Sequence, residues 1–361
     1  MDRIVRIGII GCGGIANGKH MPSLSALKNV QMVAFCDLIE ERAQKAAKQY
    51  GVEGAKVYTD YHELLKDETI EVVHVLTPNR SHAEISIDAL NAGKHVMCEK
   101  PMAKSAADAR RMVEAAKASG KKLTIGYQHR HKPGSNYLKS VIERGDLGEI
   151  YYAKALAVRR RGTTTWGVFL NEYEQGGGPL IDIGTHSLDV TLYLMNNYEP
   201  KMVVGRTFKK LPNPDCGNPW GPWDEKQHTV EDSAFGFIVM KNGAVIDLEA
   251  SWCLNTDEPI QEGSTVLCGT KAGASMKNNK VVINKDEFGK LITTEPDLTV
   301  RGVAFYDGVE ETPAITEAKR WIDAIINDKD PVVKPEQACV VSEILEAIYT
   351  SAKTGEPVYF D

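Results

Sequence analysis

Lys100, Asp182 and His186 have the residue types and spacing to move a proton and steady a developing negative charge. Removing a hydride from a carbinol carbon calls for a base on the hydroxyl proton and a cation or donor on the oxygen. Asp182 and His186 are four residues apart, so a helix would carry both on one face, where the carboxylate can orient the imidazole. A plain surface helix offers the same pair. Two neighbours favour a site. Gly176, Gly177 and Gly178 lie just upstream and would let backbone pass close to a ligand. Lys100 follows an apolar run that reads as a strand, and open α/β sheets bind ligands at strand C-termini. Two assignments of the base stay open: His186, with Lys100 holding and polarising the oxygen, or Lys100 itself. Asp182 would orient the substrate or His186.

A hydride needs a carrier, and Gly11-Cys12-Gly13-Gly14-Ile15-Ala16 fits G-x-G-x-x-A between a strand and a helix. Gly11, Gly13, Gly14 and Ile15 are therefore expected to line a pyrophosphate at the helix N-terminus. Asp37 ends the next strand, where an acid can bond an adenosine ribose; a helix N-cap is its plainer role. Its carboxylate would repel a 2′-phosphate and no basic residue follows directly, so NAD is expected rather than NADP. Gln128, after the last strand of this region, would border the nicotinamide. Arg130 and Trp166 are candidates for substrate contact, against a solvated helix start and a core ring. His129 and His131 lack a third ligand nearby, so no metal is expected. Trp220 and Trp223 would form a substrate lid, an oligomer contact or simple loop packing.

The elements that must position these residues change character along the chain. Up to about residue 126, short apolar strands alternate with amphipathic helices, as in βαβ units around a parallel sheet. The expected strands start at Ile4, Val30, Val57, Val72, His95 and Leu123, and a first helix spans about Ala16 to Leu27. Beyond residue 127 the strands lengthen, Lys241-Asn242-Gly243 reads as a hairpin turn, and two helices are expected at Ala314–Asn327 and Pro335–Ser351. Leu211–Gln227 reads as a long loop. The fold class is α/β: residues 1–126 as a doubly wound Rossmann domain, then residues 127–361 as an α+β domain with an open mixed or antiparallel sheet for substrate binding and oligomerisation.

Further motifs narrow this. Thr77-Pro78-Asn79 with His82 ends the fourth strand, Glu99-Lys100-Pro101 ends the fifth, and Gly176-Gly177-Gly178-Pro179-Leu180-Ile181-Asp182-Ile183-Gly184-Thr185-His186 follows in the second half. In this order they resemble the glucose–fructose oxidoreductase / inositol dehydrogenase / rhizopine catabolism (Gfo/Idh/MocA) family, over nearly the whole chain. The resemblance implies a nicotinamide and substrate lying between the two domains. Thr77, Pro78, Asn79, His82, Glu99 and Lys100 would hold the cofactor. Lys100, Asp182 and His186 would be catalytic, with a cis Lys100–Pro101 peptide. It also implies a sugar or polyol substrate, with a lean toward sugar or glycoside 3-dehydrogenases, and a homodimer or homotetramer.

Composition bounds the rest. A formal net charge of −6 disfavours nucleic acid. Seven scattered cysteines with no C-x-x-C fit reduced cytosolic thiols. Ile4–Ile15 is too glycine-rich for a signal peptide, and no run reaches the ~20 apolar residues of a membrane helix. The expectation is a cytoplasmic NAD-dependent oxidoreductase acting on a ring hydroxyl of a sugar, glycoside or polyol. The alternatives are a sugar-to-sugar oxidoreductase with tightly bound NAD and an NAD-dependent glycosidase. A non-catalytic NAD sensor has little use for Lys100, Asp182 and His186 together.

Overall fold

The computed structural model describes residues 3–210, 217–298 and 312–361. The chain forms two compact units: Met1–His131 with Arg301–Cys339, and Lys132–Val300 with Val340–Asp361. The first unit thus runs slightly past residue 126 and takes back a later segment.

The first unit holds β1 (Val5–Ile10), β2 (Val30–Cys36), β3 (Lys56–Tyr58), β4 (Val72–Val75), β5 (His95–Cys98) and β6 (Leu123–Ile125). Their order is β3-β2-β1-β4-β5-β6, with every pairing parallel. The order reverses between β1 and β4, which opens a crevice at the strand C-termini. Val5, Ile7, Ile9, Val72, Val73 and Val75 are fully buried, as strands covered on both faces require. The helix Ala106–Ser119 shows how a sequence stripe becomes packing. Ser105 accepts from Asp108 N–H at its start, Gly120 at φ 64° ends it, and Ala109, Met112, Val113 and Ala116 face inward.

The expected single helix after the glycine turn is interrupted. Ala16–His20 is a π-helical turn and Met21–Ser25 a short α-helix. Pro22 has no N–H to give an α-helical ladder, and a wider turn absorbs the missing bond. The turn sends both Lys19 and His20 inward, where they are buried. The helix Pro313–Ile326 closes this unit. Its Ala318, Trp321, Ile322 and Ile325 share one core with Ile7, Ile9, Met21 and Leu24.

The second unit holds β7 (Ile150–Val158), β8 (Pro200–Phe208), β9 (Ser233–Met240), β10 (Val245–Ser251), β11 (Ile260–Gly269), β12 (Ala272–Lys277), β13 (Lys280–Glu287), β14 (Lys290–Thr294) and β15 (Val358–Tyr359). They form one mixed sheet in the order β14-β13-β12-β11-β7-β10-β9-β8-β15. Among the described strands of this sheet, only β7 and β10 pair in parallel. The Lys241–Gly243 turn makes the β9–β10 hairpin, with Gly243 at φ 89°. Thr185–Met195 packs on β7 and β11, and Ile348 of the helix Pro335–Thr354 lies against Gly205 and Gly236. Val204, Phe237 and Asp247 line up in register across β8, β9 and β10, and Val204 and Phe237 are exposed. Residues 211–216 of the expected long loop lie outside the described residues; 217–227 is irregular. Among the described residues the six cysteines are free thiols, Cys216 lying outside them. No described helix is long and apolar enough to cross a membrane.

Candidate active site

The glycine turn is built by contacts on one side and their absence on the other. Gly11 has φ +92°, and a Cβ there would sit 2.6 Å from Leu76 O, so only glycine fits. A Cβ on Gly13 or Gly14 would meet nothing within 4 Å. Asn17 Nδ2 donates to Cys12 O and Gly13 O, both at 2.8 Å, and fixes the turn from behind. Asp37 Oδ2 accepts from Cys12 N at 2.8 Å and Oδ1 from Ile39 N at 2.9 Å. The next helix is capped at Ile39, not Asp37. A carboxylate offers about four lone-pair positions, so capacity remains for ribose hydroxyls. Burial, with Asp37 nearby, pushes the Cys12 thiol up to about 12, which makes it unreactive. Open space over Gly13 and Gly14, a carboxylate at the next strand end and the exposed Leu38 and Ile39 beyond it fit a dinucleotide with an unphosphorylated ribose.

Lys100 stands over a buried polar network. Glu99 Oε1 lies 2.8 Å from Lys19 Nζ and 2.7 Å from His20 Nε2, while Oε2 accepts from Lys100 N at 3.0 Å. Lys19 also pairs with Glu317 at 2.9 Å. Burial alone would raise the Glu99 carboxyl; Lys19 and His20 outweigh it and hold it well below the usual range. Burial alone would lower Lys19; Glu317 and Glu99 outweigh it and raise it. A Cβ at Gly126 would fall 2.9 Å from Glu99 Oε1, so the chain leaving β6 passes this carboxylate as glycine. The Lys100–Pro101 peptide is cis.

Two residues expected to hold cofactor have their polar atoms engaged by neighbouring protein groups. The Glu99 carboxylate is spent on the network beneath Lys100. His82 is buried, with Nδ1 2.8 Å from Pro101 O and Nε2 2.8 Å from Thr77 O. The ring lies between the turn after β4 and the turn after β5, and burial lowers its pKa. Thr77 Oγ1 accepts from Ser81 Oγ at 2.8 Å. Pro78 is exposed, and Asn79 and Gln128 are partly exposed. Arg130, expected at the substrate, is wholly buried instead. Its Nη1 donates to Val332 O at 3.1 Å and Gln337 Oε1 at 2.6 Å, which braces the returning C-terminal segment.

In the second unit, Asp182 lies in a π-helical turn, Leu180–Gly184, that runs into the α-helix Thr185–Met195 carrying His186. The single α-helix expected from their spacing is therefore a composite. The glycine run before them is required by close packing within the protein. Gly176 at φ 86° ends the short helix Glu172–Gln175, a Cβ on Gly177 would strike Tyr349 Oη, and one on Gly178 would strike Glu231 O. Glu231 accepts from Gly178 N at 2.9 Å, Leu180 N at 3.2 Å and Tyr349 Oη at 2.8 Å. Asp182 Oδ2 accepts from Trp252 Nε1 at 3.0 Å. Trp252 is fully buried and packs with Ala157, Ile183 and Val230, while His186 is buried. Trp166 is 51 % exposed and meets Trp220 edge-on at 4.9 Å. Glu231, Tyr349, Trp252, Lys19, His20 and Glu317 carried no local signal, since most of their partners are dozens of residues away.

Comparison with known proteins settles the family. The model of the GFO_IDH_MocA oxidoreductase family, NAD-binding Rossmann fold, matches residues 5–127, and that of its C-terminal alpha/beta domain matches residues 139–360. The chain belongs to the Gfo/Idh/MocA oxidoreductases. Among curated members, this oxidoreductase is 36% identical to D-glucoside 3-dehydrogenase of Escherichia coli over 98% of its own length and 97% of the relative's. It is 32% identical to glucose-6-phosphate 3-dehydrogenase of Bacillus subtilis, over 69% of this chain and 68% of that one. Its fold matches a levoglucosan dehydrogenase solved with NADH, with a TM-score of 0.82, 23% identity, and 99% of this chain and 100% of that one covered. The protein is an oxidoreductase with an NAD-binding Rossmann domain.

Proposed function

We propose that this enzyme oxidises a ring hydroxyl of a glucoside or related sugar, passing the hydride to NAD. One observation carries the substrate class: the 36% identity to a D-glucoside 3-dehydrogenase extends over 98% of the chain, so both units take part in the likeness. The residues support the chemistry. NAD, when bound, supplies the hydride acceptor. His186 takes the hydroxyl proton, and Lys100 holds and polarises the same oxygen as charge develops on it. Asp182, its carboxylate fixed by the Trp252 N–H, orients the sugar or the imidazole. Val204 and Phe237 on the open sheet face support a homodimer or homotetramer, and free thiols support a cytoplasmic setting.

The test is NADH absorbance on adding hexoses, inositols and glucosides with NAD or NADP. NADH growth with glucosides supports the reading. Bound NAD that turns over without free NADH would redirect it to a sugar-to-sugar oxidoreductase or an NAD-dependent glycosidase. Absence of any dinucleotide binding would overturn it.

A further inference from the structure

Two indoles of the second unit stand half in solvent, yet they are firmly held. Trp166 is 51 % and Trp220 43 % exposed. Their segments are zipped together by Asn218, which accepts from Thr163 N at 3.0 Å and donates to Thr163 O at 3.0 Å and Gly221 O at 2.9 Å. Thr165 Oγ1 adds a bond to Trp220 O at 2.8 Å. Arg159 lies over the Trp220 ring at 5.3 Å, and Gly162 leaves room for both. A fold that fixes two large apolar rings by several hydrogen bonds and leaves them exposed gives up burial free energy that a ligand can recover.

The patch has the size and polar neighbours of a carbohydrate subsite. Two half-exposed indoles offer about 200 Å² of apolar surface. That is far below the roughly 800 Å² each partner contributes to a stable protein pair, and is comparable with one face of a hexose ring. Arg159, over the Trp220 ring, pairs with Glu262 at 3.6 Å, and Arg161 two residues along the chain pairs with Asn255 at 2.7 Å. These groups can donate to and accept from hydroxyls at a sugar's edge. A chain of packing contacts links the patch to Asp182. Trp166 meets Phe169 at 6.2 Å, Phe169 packs on the cluster containing Trp252, and Trp252 holds Asp182.

We propose that Trp166 and Trp220 form a subsite for the second sugar ring of a disaccharide glucoside whose first ring is oxidised. This rests on the dehydrogenase reading above. The test compares cellobiose with methyl β-glucoside as substrates for wild type, Trp166→Ala, Trp220→Ala and the conservative Trp166→Phe, with cellobiose quenching of tryptophan fluorescence measured in parallel. The alanine variants should raise KM for cellobiose about tenfold more than for methyl β-glucoside, and Trp166→Phe should restore most of the difference. Turnover of both sugars with an unchanged KM ratio overturns the subsite and leaves the dehydrogenase standing. Quenching that depends on Trp166, without turnover of either sugar, overturns the glucoside reading and with it the subsite as proposed, leaving the two rings a sugar-binding surface only. A changed sedimentation coefficient in the alanine variants with KM unmoved overturns the subsite in favour of a subunit contact.

Discussion

Alanine at Gly13 and alanine at Gly11 should fail in different ways. The Gly13 methyl would point into open space and the Gly11 methyl into Leu76 O. Gly13→Ala should therefore keep the wild-type melting temperature and bind NAD more weakly, as titration calorimetry would read. Gly11→Ala, with φ +92° besides, should lower the melting temperature itself. An equal loss of stability in both would remove Gly13 from the cofactor site. His186→Asn and Lys100→Met should each lower kcat roughly 100-fold or more, with NAD affinity retained. A kcat within a few-fold of wild type in either variant would remove that residue from the chemistry. The motifs holding these residues were legible because each is a local run. The partners of Glu99, His82, Arg130 and the glycine run were not, because a motif gives a residue's position and not the direction of its side chain.

The elements that aim the site depend on buried charges. Lys19→Met would leave Glu99 and Glu317 facing each other without their shared cation. Breaking a buried pair this way costs about 3–5 kcal/mol, and a loss of that size in the unfolding free energy from urea titration is expected. A loss below about 1 kcal/mol would mean solvent reaches the network. Glu231→Ala would release the Gly178 and Leu180 amides and Tyr349. Both the melting temperature and kcat should fall, since that turn carries Asp182. Strand and helix placement was legible from apolar periodicity in nearly every element. The exceptions have physical causes. Pro22 marks where the first helix is interrupted, but the inward placement of Lys19 and His20 depends on partners that only the core supplies. The strands β14 and β15 lie at the sheet's two edges, where few residues need to be buried.

For the molecule as a whole, pH is the sharpest probe. Burial, with Arg320 and Lys19 nearby, lowers His131 to about 3, and burial with Lys209 nearby lowers His228 to about 4, both from 6.5. The unfolded chain therefore takes up protons that the folded one refuses. Stability should be full above the ordinary histidine value and fall as pH drops below it toward the folded values. Glu99, held far below 4.5, adds a further loss once its unfolded form begins to protonate. His131→Gln should flatten the decline of melting temperature with acid, and an unchanged slope would mean that His131 is not buried neutral. The sequence changes strand style near residue 127, and the first compact unit runs to His131 before the chain passes to the second. The return of a later segment to the first unit was not legible, because nothing in a helix's own sequence names the core that receives it.

That return sets an order of events during synthesis. The ribosome makes Ile7, Ile9, Met21 and Leu24 first, yet their core is completed by Ala318, Trp321, Ile322 and Ile325. Nearly all of the second unit is translated in between. Through that interval the nascent chain carries an open apolar groove beside Lys19, whose partner Glu317 has not yet been made. A message truncated ahead of residue 313 would release a polypeptide unable to close its first core, a natural client for chaperones and proteases.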